Sequence, residues 1–426
     1  MRKSVLLILI CLAVFKVSAQ DIGYAREVIK MLASPELKGR GYVGNGHLKA
    51  AKYIRDQFTE IGLKSFENDY FQPFSLKVNT FPSKMTLVLN GDKLIPGKDF
   101  IVDAASSSAN GEYEVLLVKK QDLLDDGKVK QAVQSSAGKM LIIDERDFKT
   151  ENKNDIQKAN DVVKTLKSDP RLQHAGVILF TSAKLTIGYS TVQSPRPALV
   201  VNKACDLSEI KKVKLQLDAR LIECKTQNVA GYLEGEERPD SFLVMVAHYD
   251  HMGTMGDEVY FPGANDNASG VAMILNLAKH YKLNPHRYSV AFIALSAEEA
   301  GILGAKHYVE NPLFDLDRIA FLVNFDMAGT GDEGIKVVNG SVFQDRFDLL
   351  TAINAEKGYL KSVQIRGAAC NSDHCMFYQK GVKCFFIYTL GGTQAYHDIY
   401  DRYETLPLTE FEDYFRLMTD FFAEIP

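Results

Sequence analysis

The sequence predicts an α/β fold: a mostly parallel mixed sheet flanked by helices, interrupted by an inserted β-rich region. Three observations lead there. After Asn228, near-continuous apolar runs alternate with stretches of helical period, as expected of strands covered on both faces. Between residues 78 and 224 the texture changes to short β-rich runs separated by polar loops. The length, 426 residues, exceeds what one hydrophobic core usually serves and favours two folding units.

Residues 1–19 read as an export signal. Arg2 and Lys3 form a positive start, residues 5–15 an apolar stretch, and Val17-Ser18-Ala19 a small-residue cleavage site. The stretch is too short for a permanent membrane span, and the bulky Ile10 before Cys11 argues against lipid attachment. The expectation is cleavage after Ala19, no membrane anchor thereafter, and a periplasmic or extracellular location. Residues 20–77 then open the main domain. Val28, Met31 and Leu32 have helical spacing, Ser34-Pro35 and Gly39-Arg40-Gly41 break it, and a second helix over 47–61 stops at Gly62. Extended aromatic residues follow at 70–74.

The inserted region, 78–224, has strand-like runs at 85–89, 114–118, 139–143, 176–180 and 198–201, and a charged, exposed helix at 154–166. No catalytic cluster falls within it. Residues 225–426 supply the main part of the domain that residues 20–77 open. Strands are expected at 242–247, 289–295, 319–325 and 384–389, and helices at 268–281, 303–309, 343–356 and 408–422.

Composition excludes some functions. With a net charge of −4 and no basic run, the chain offers no nucleic-acid surface. Cleavage leaves five cysteines, Cys205, Cys224, Cys370, Cys375 and Cys384, so at least one thiol stays unpaired in a monomer. Cys370 and Cys375 are the closest pair, Cys205 and Cys224 can join neighbouring strands, and buried free thiols are the alternative.

The chemistry lies at the strand exits. His248, Glu298, Glu299 and Asp326 each follow an expected strand, His397 lies in the loop after the strand near Thr389, and Asp266 sits in a small-residue turn that opens a helix. Sites in open α/β sheets form at that carboxyl edge, so the six residues can converge on one rim. Imidazoles and carboxylates without a thiolate suit a catalytic zinc pair, with Mn2+ or Co2+ as possible substitutes. One ion would take His248 and Asp326, the other Glu299 and His397, and Asp266 would bridge them. Two divalent cations against three carboxylates leave one positive charge, which favours a hydroxide shared between the ions.

Glu298 cannot easily share a metal with its neighbour Glu299, and is placed to take a proton from that water and deliver it to the leaving amine. Asp250 is assigned to hold the imidazole of His248. Alternation turns His251 away from the ions. His374 either shapes the substrate pocket or supports its loop, and Tyr396 either donates to the developing oxyanion or packs as a loop aromatic. His47, His174, His280, His286 and His307 read as surface or loop residues.

The ordered motifs Ala247-His248-Tyr249-Asp250, Gly263-Ala264-Asn265-Asp266-Asn267-Ala268-Ser269-Gly270, Ala297-Glu298-Glu299, Asn324-Phe325-Asp326-Met327 and Tyr396-His397 resemble a known family. It is the di-zinc peptidase family of bacterial leucyl aminopeptidase, aminopeptidase Y and glutamate carboxypeptidase. Residues 32–41 look like that family's opening segment, and 78–224 resemble the protease-associated (PA) domain many members carry. One departure is that neither a Tyr nor a close Cys pair precedes Ser372-Asp373-His374. The resemblance implies an exported aminopeptidase acting on peptides. The alternatives are a carboxypeptidase or dipeptidase on the same centre, a glutaminyl cyclase, disfavoured by the absence of Trp, or a non-catalytic binding relative, disfavoured because every ligand is present.

Overall fold

The computed structural model describes residues 21–67 and 69–425; the export signal expected at 1–19 lies outside them. Fully apolar strand sequences end up in the middle of a nine-stranded mixed sheet. At its centre lies Arg238–His248, parallel to Tyr288–Leu295 on one side and to Ile319–Asp326 on the other. Cys384–Leu390 adds a further parallel strand beside Ile319–Asp326. Every residue of Tyr288–Leu295 is buried, which is why it reads as a continuous apolar run. The flanks are antiparallel: Arg220–Leu233 pairs with Tyr288–Leu295, and Gly334–Val338 with Cys384–Leu390. Neither flanking strand was expected from the sequence. Four adjacent parallel strands therefore send their carboxyl ends to the same edge.

Helices cover both faces. Ile22–Leu32 starts where the Asp21 carboxylate accepts the Tyr24 N–H at 3.0 Å, and Gly46–Ile61 stops at Gly62 in the left-handed conformation (φ 81°). Both pack with Gly270–Leu283 and Phe411–Ala423 into one core, through Val28, Phe58, Ile274 and Phe421 among others. Burying each such side chain contributes roughly 1.5–3 kcal/mol. The opposite face is covered by Leu303–Glu310 and by Phe377 of His374–Gln379. The N-terminal helices thus share a core with the C-terminal half of the chain.

The region between the long strands Phe71–Thr80 and Arg220–Leu233 forms an eight-stranded sheet of its own. Its inner strands Ala109–Lys119, Met140–Asp144, Gly176–Phe180 and Ala198–Val201 are parallel, and helices Asp126–Ser135 and Lys153–Ser168 flank it. Asp126–Ser135 has no fully buried residue, so its apolar periodicity was too weak to predict it. The two long strands pair antiparallel from Arg220↔Thr80 to Val229↔Phe71, a ribbon by which the chain leaves and re-enters the main sheet.

Among the described residues no helix is long and apolar enough to cross a membrane. Cys370 and Cys375 form a disulfide, whereas Cys205, Cys224 and Cys384 are free.

Candidate metal centre

His248 is the last residue of the central strand and Asp326 the last of its neighbour, so register alone brings them together. Asp266 arrives from the turn Ala264–Ser269, which is bonded to the chain on both sides of Asp326. Asn267 Nδ2 donates to the Phe325 carbonyl at 2.9 Å, Ser269 Oγ accepts the Ala328 N–H at 2.7 Å, and Asn265 Oδ1 accepts the Gly329 N–H at 2.9 Å. The Asp266–Asn267 peptide is cis. Glu298 and Glu299 leave the sheet after Leu295, and the Glu298 N–H is held by Asp250 Oδ1 at 3.1 Å. Ala297, Met327 and His397, each at or beside one of these groups, adopt positive φ, the strained backbone that clusters at functional sites.

The six expected residues converge. His248 Nε2 lies 3.4 Å from Asp266 Oδ1 and 3.5 Å from Asp326 Oδ2. His397 Nε2 lies 2.9 Å from Asp266 Oδ2 and 3.3 Å from Glu299 Oε2. Asp266 thus turns one oxygen to each imidazole. The orientations are fixed from behind. His248 Nδ1 contacts the Asp250 carbonyl at 3.2 Å, and His397 Nδ1 the Ile187 carbonyl at 3.2 Å. A carbonyl only accepts, so both Nδ1 atoms carry hydrogen and the Nε2 atoms are the nitrogens that face the cluster. Glu298 belongs to the same group, with ligand atoms of His248, Glu298 and Glu299 within 4.8 Å of one another.

The electrostatics ask for cations. Burial pushes the Glu298 carboxyl well above its ordinary range, against the pull of His248. Burial likewise raises Asp326 and moves Asp373 up to about 8. Burial alone would also raise Glu299, but His397 and the hydrogen bonds from His251 and His397 hold it low. Burial would lower His397, yet Glu299 and Asp266 push it up to about 11. Asp326 Oδ1 is buried without a hydrogen-bond partner. Crowded carboxylates, imidazole nitrogens turned toward them and an orphaned acceptor fit a divalent metal site, and these groups have the N/O chemistry zinc accepts.

The expectations for His251 and Asp250 need correction, and the two readings of His374 can be separated. His251 was expected to face away, but it is fully buried with Nδ1 2.9 Å from Glu299 Oε1 and 4.0 Å from Asp266 Oδ2. The strand ends at His248, so alternation no longer governs the turn that follows. Asp250 holds His248 through its backbone carbonyl; its carboxylate stands 4.0 Å from Nδ1 and serves the Glu298 N–H instead. His374 is fully buried, stacks on Phe386 and contacts the Ala369 carbonyl through Nε2 at 2.9 Å, so it supports its loop and lines no open pocket. Tyr396 is exposed and lies flat on His397, ring centroids 3.8 Å apart. His47, expected as a surface or loop residue, is buried on the helix Gly46–Ile61, and His174 lies in a loop as expected but is buried. The disulfide encloses Ser372-Asp373-His374, with Cys370 before it and Cys375 after.

Sequence reasoning missed three buried groups. Arg40 donates to the carbonyls of Leu32, Tyr249, Pro262, Gly263 and Asp266 at 2.7–3.2 Å. Asp401 accepts the backbone N–H groups of Asn265 and Asp266. Ser372 Oγ donates to Asp326 Oδ2 at 3.4 Å, placing Asp373 beside the acids. For Arg40 the only signal was a charged residue between two glycines at a helix break.

The chain is similar to known proteins in sequence and in fold. The chain is 26% identical over 306 residues to the aminopeptidase YwaD of Bacillus subtilis (strain 168), an alignment covering 69% of this chain and 62% of that protein. Its fold is similar to that of BSAP, a zinc aminopeptidase from Bacillus subtilis, with a TM-score of 0.69 at 18% identity over 94% of each chain. A peptidase M28 precursor from Shewanella amazonensis SB2B gives a TM-score of 0.72 at 17% identity, over 95% of this chain and 93% of that one. The model of peptidase family M28 matches residues 228–422, the stretch that carries every histidine and acid of the cluster. Residues 228–422 belong to peptidase family M28.

Proposed function

We propose that this chain is an exported zinc-dependent aminopeptidase that removes N-terminal residues from peptides. One zinc ion would be held by His248, Asp326 and Asp266, and the other by Asp266, Glu299 and His397. The observation that carries this reading is the division of Asp266, Oδ1 toward His248 and Oδ2 toward His397 at 3.4 and 2.9 Å. A carboxylate divided in that way could serve two adjacent cations, one through each oxygen. The likeness to YwaD supports the choice of peptide end. Residues 78–224 are read as a PA-like inserted domain, supported by the separate eight-stranded sheet.

Bound zinc supplies Lewis acidity toward the scissile carbonyl and lowers the pKa of water to roughly 7. The chain's own residues do the rest. Glu298, grouped with His248 and Glu299 at the cluster, would accept the proton of the attacking water as its carboxylate and pass it to the leaving amine. Asp250 fixes the Glu298 backbone and orients His248. Tyr396, exposed above His397, is the candidate donor to the oxyanion.

A peptide panel with free and acetylated N-termini tests the assignment, with released residues identified by mass. Release of the first residue from free peptides only is expected. Release solely from the C-terminus contradicts it and favours a carboxypeptidase.

A further inference from the structure

The loop that follows strand Gly176–Phe180, within the inserted region, reaches back to the acidic cluster at three points. The Ile187 N–H donates to the His397 carbonyl at 3.0 Å, while the Ile187 carbonyl faces His397 Nδ1 at 3.2 Å. One residue therefore holds both the backbone and the ring of His397, and its acceptor determines that Nε2 is the nitrogen facing Asp266. Two residues on, Tyr189 Oη donates to the His251 carbonyl at 3.1 Å. That hydroxyl lies where only glycine fits: a Cβ on Gly41 would meet it at 2.3 Å and one on Gly253 at 2.7 Å. Lys184 Nζ contacts Asp398 Oδ2 and the Gln394 carbonyl, both at 2.6 Å, and so pins both sides of the loop that carries His397. His397 and His251 are the two imidazoles that flank Glu299, at Oε2 and Oε1.

We infer that residues 184–189 of the inserted region are a positioning element of the metal centre, setting the placement of His397 and Glu299 at the zinc ion they share. The inserted region is then a working part of the site, because it supplies the outer hydrogen bonds that metal-binding imidazoles need. Lys184 and Tyr189 touch neither ion nor substrate and act through His397 and His251. The inference rests on the two-zinc reading given above.

The test is zinc titration of chelator-stripped protein, wild type against the double variant Lys184→Met/Tyr189→Phe. The control is Lys212→Met, whose ammonium pairs with Glu112 on the surface of the same second sheet. The double variant is expected to lose about 10- to 100-fold in affinity at one of the two zinc sites, the usual effect of removing outer-shell partners. The other site, the melting temperature of the stripped protein and the control should match wild type. If the double variant does not fold, Tyr189→Phe alone, which removes one oxygen and keeps the ring, carries the test. Unchanged affinity at both sites overturns the inference, as does a loss that merely follows a lower melting temperature. Wild-type protein that takes up fewer than two zinc ions would instead defeat the two-zinc reading, and the inference with it.

Discussion

Asp401 holds Asp266 by its backbone, accepting the Asp266 N–H on Oδ2 at 3.0 Å while Oδ1 takes the N–H of Asn265 at 2.8 Å. The carboxylate that faces both halves of the cluster is thus fixed from behind by a second carboxylate 135 residues further along the chain. Asp401→Asn replaces one acceptor with a donor that opposes an N–H. About 10-fold weaker zinc binding is expected, measured by competition with a chelator. Wild-type affinity in that variant would remove Asp401 from the support of the centre.

Glu298 differs from its neighbours in having no hydrogen bond from an imidazole, which leaves it free for proton transfer. Glu298→Gln should keep its zinc and lose roughly 100-fold or more in kcat. Metal analysis and steady-state kinetics on the same preparation decide, and unimpaired turnover excludes it as the base.

How much of this was legible in the sequence differs residue by residue. His248, Asp326 and the Glu298-Glu299 pair could be placed because each closes or follows a run of apolar residues, and those runs became adjacent parallel strands. Asp266 was marked by its small-residue turn. His251 was misplaced because a period of two holds only inside a strand, and this one stops at His248. Arg40 and Asp401 bond to backbone atoms distant in sequence, and no side-chain pattern encodes such partners. The flanking strand Gly334–Val338 was missed because five residues between polar loops carry little periodicity.

Arg40 is fully buried and spends its guanidinium on five carbonyls, joining the N-terminal segment to the loops that carry His248 and Asp266. Burial lowers it to about 10, still charged at neutral pH. Arg40→Met strands those acceptors and should cost about 3 kcal/mol or more in urea unfolding. Arg40→Lys, with three donors, should recover part of it. A loss below about 0.5 kcal/mol would contradict the account.

His374 makes a pH prediction. Burial pushes its imidazole down to about 4, below the roughly 6.5 of an unfolded chain. Between those values the unfolded state binds the proton and the folded state does not, so stability falls as pH drops from about 6.5 to about 4 and is flat above. The shift is worth about 3 kcal/mol. His374→Gln keeps a donor for the Ala369 carbonyl and should have a shallower fall in melting temperature over that range. Identical slopes would show that other groups, such as the buried His47, set the dependence.

The central claim is that two zinc ions share Asp266 and are both required for hydrolysis. Its most direct test is peptide hydrolysis by chelator-stripped protein during stepwise zinc addition, with bound metal measured at each step. The account predicts negligible activity when stripped and full activity only as the second equivalent binds. Full activity in the stripped protein, or complete recovery with one equivalent, would contradict it.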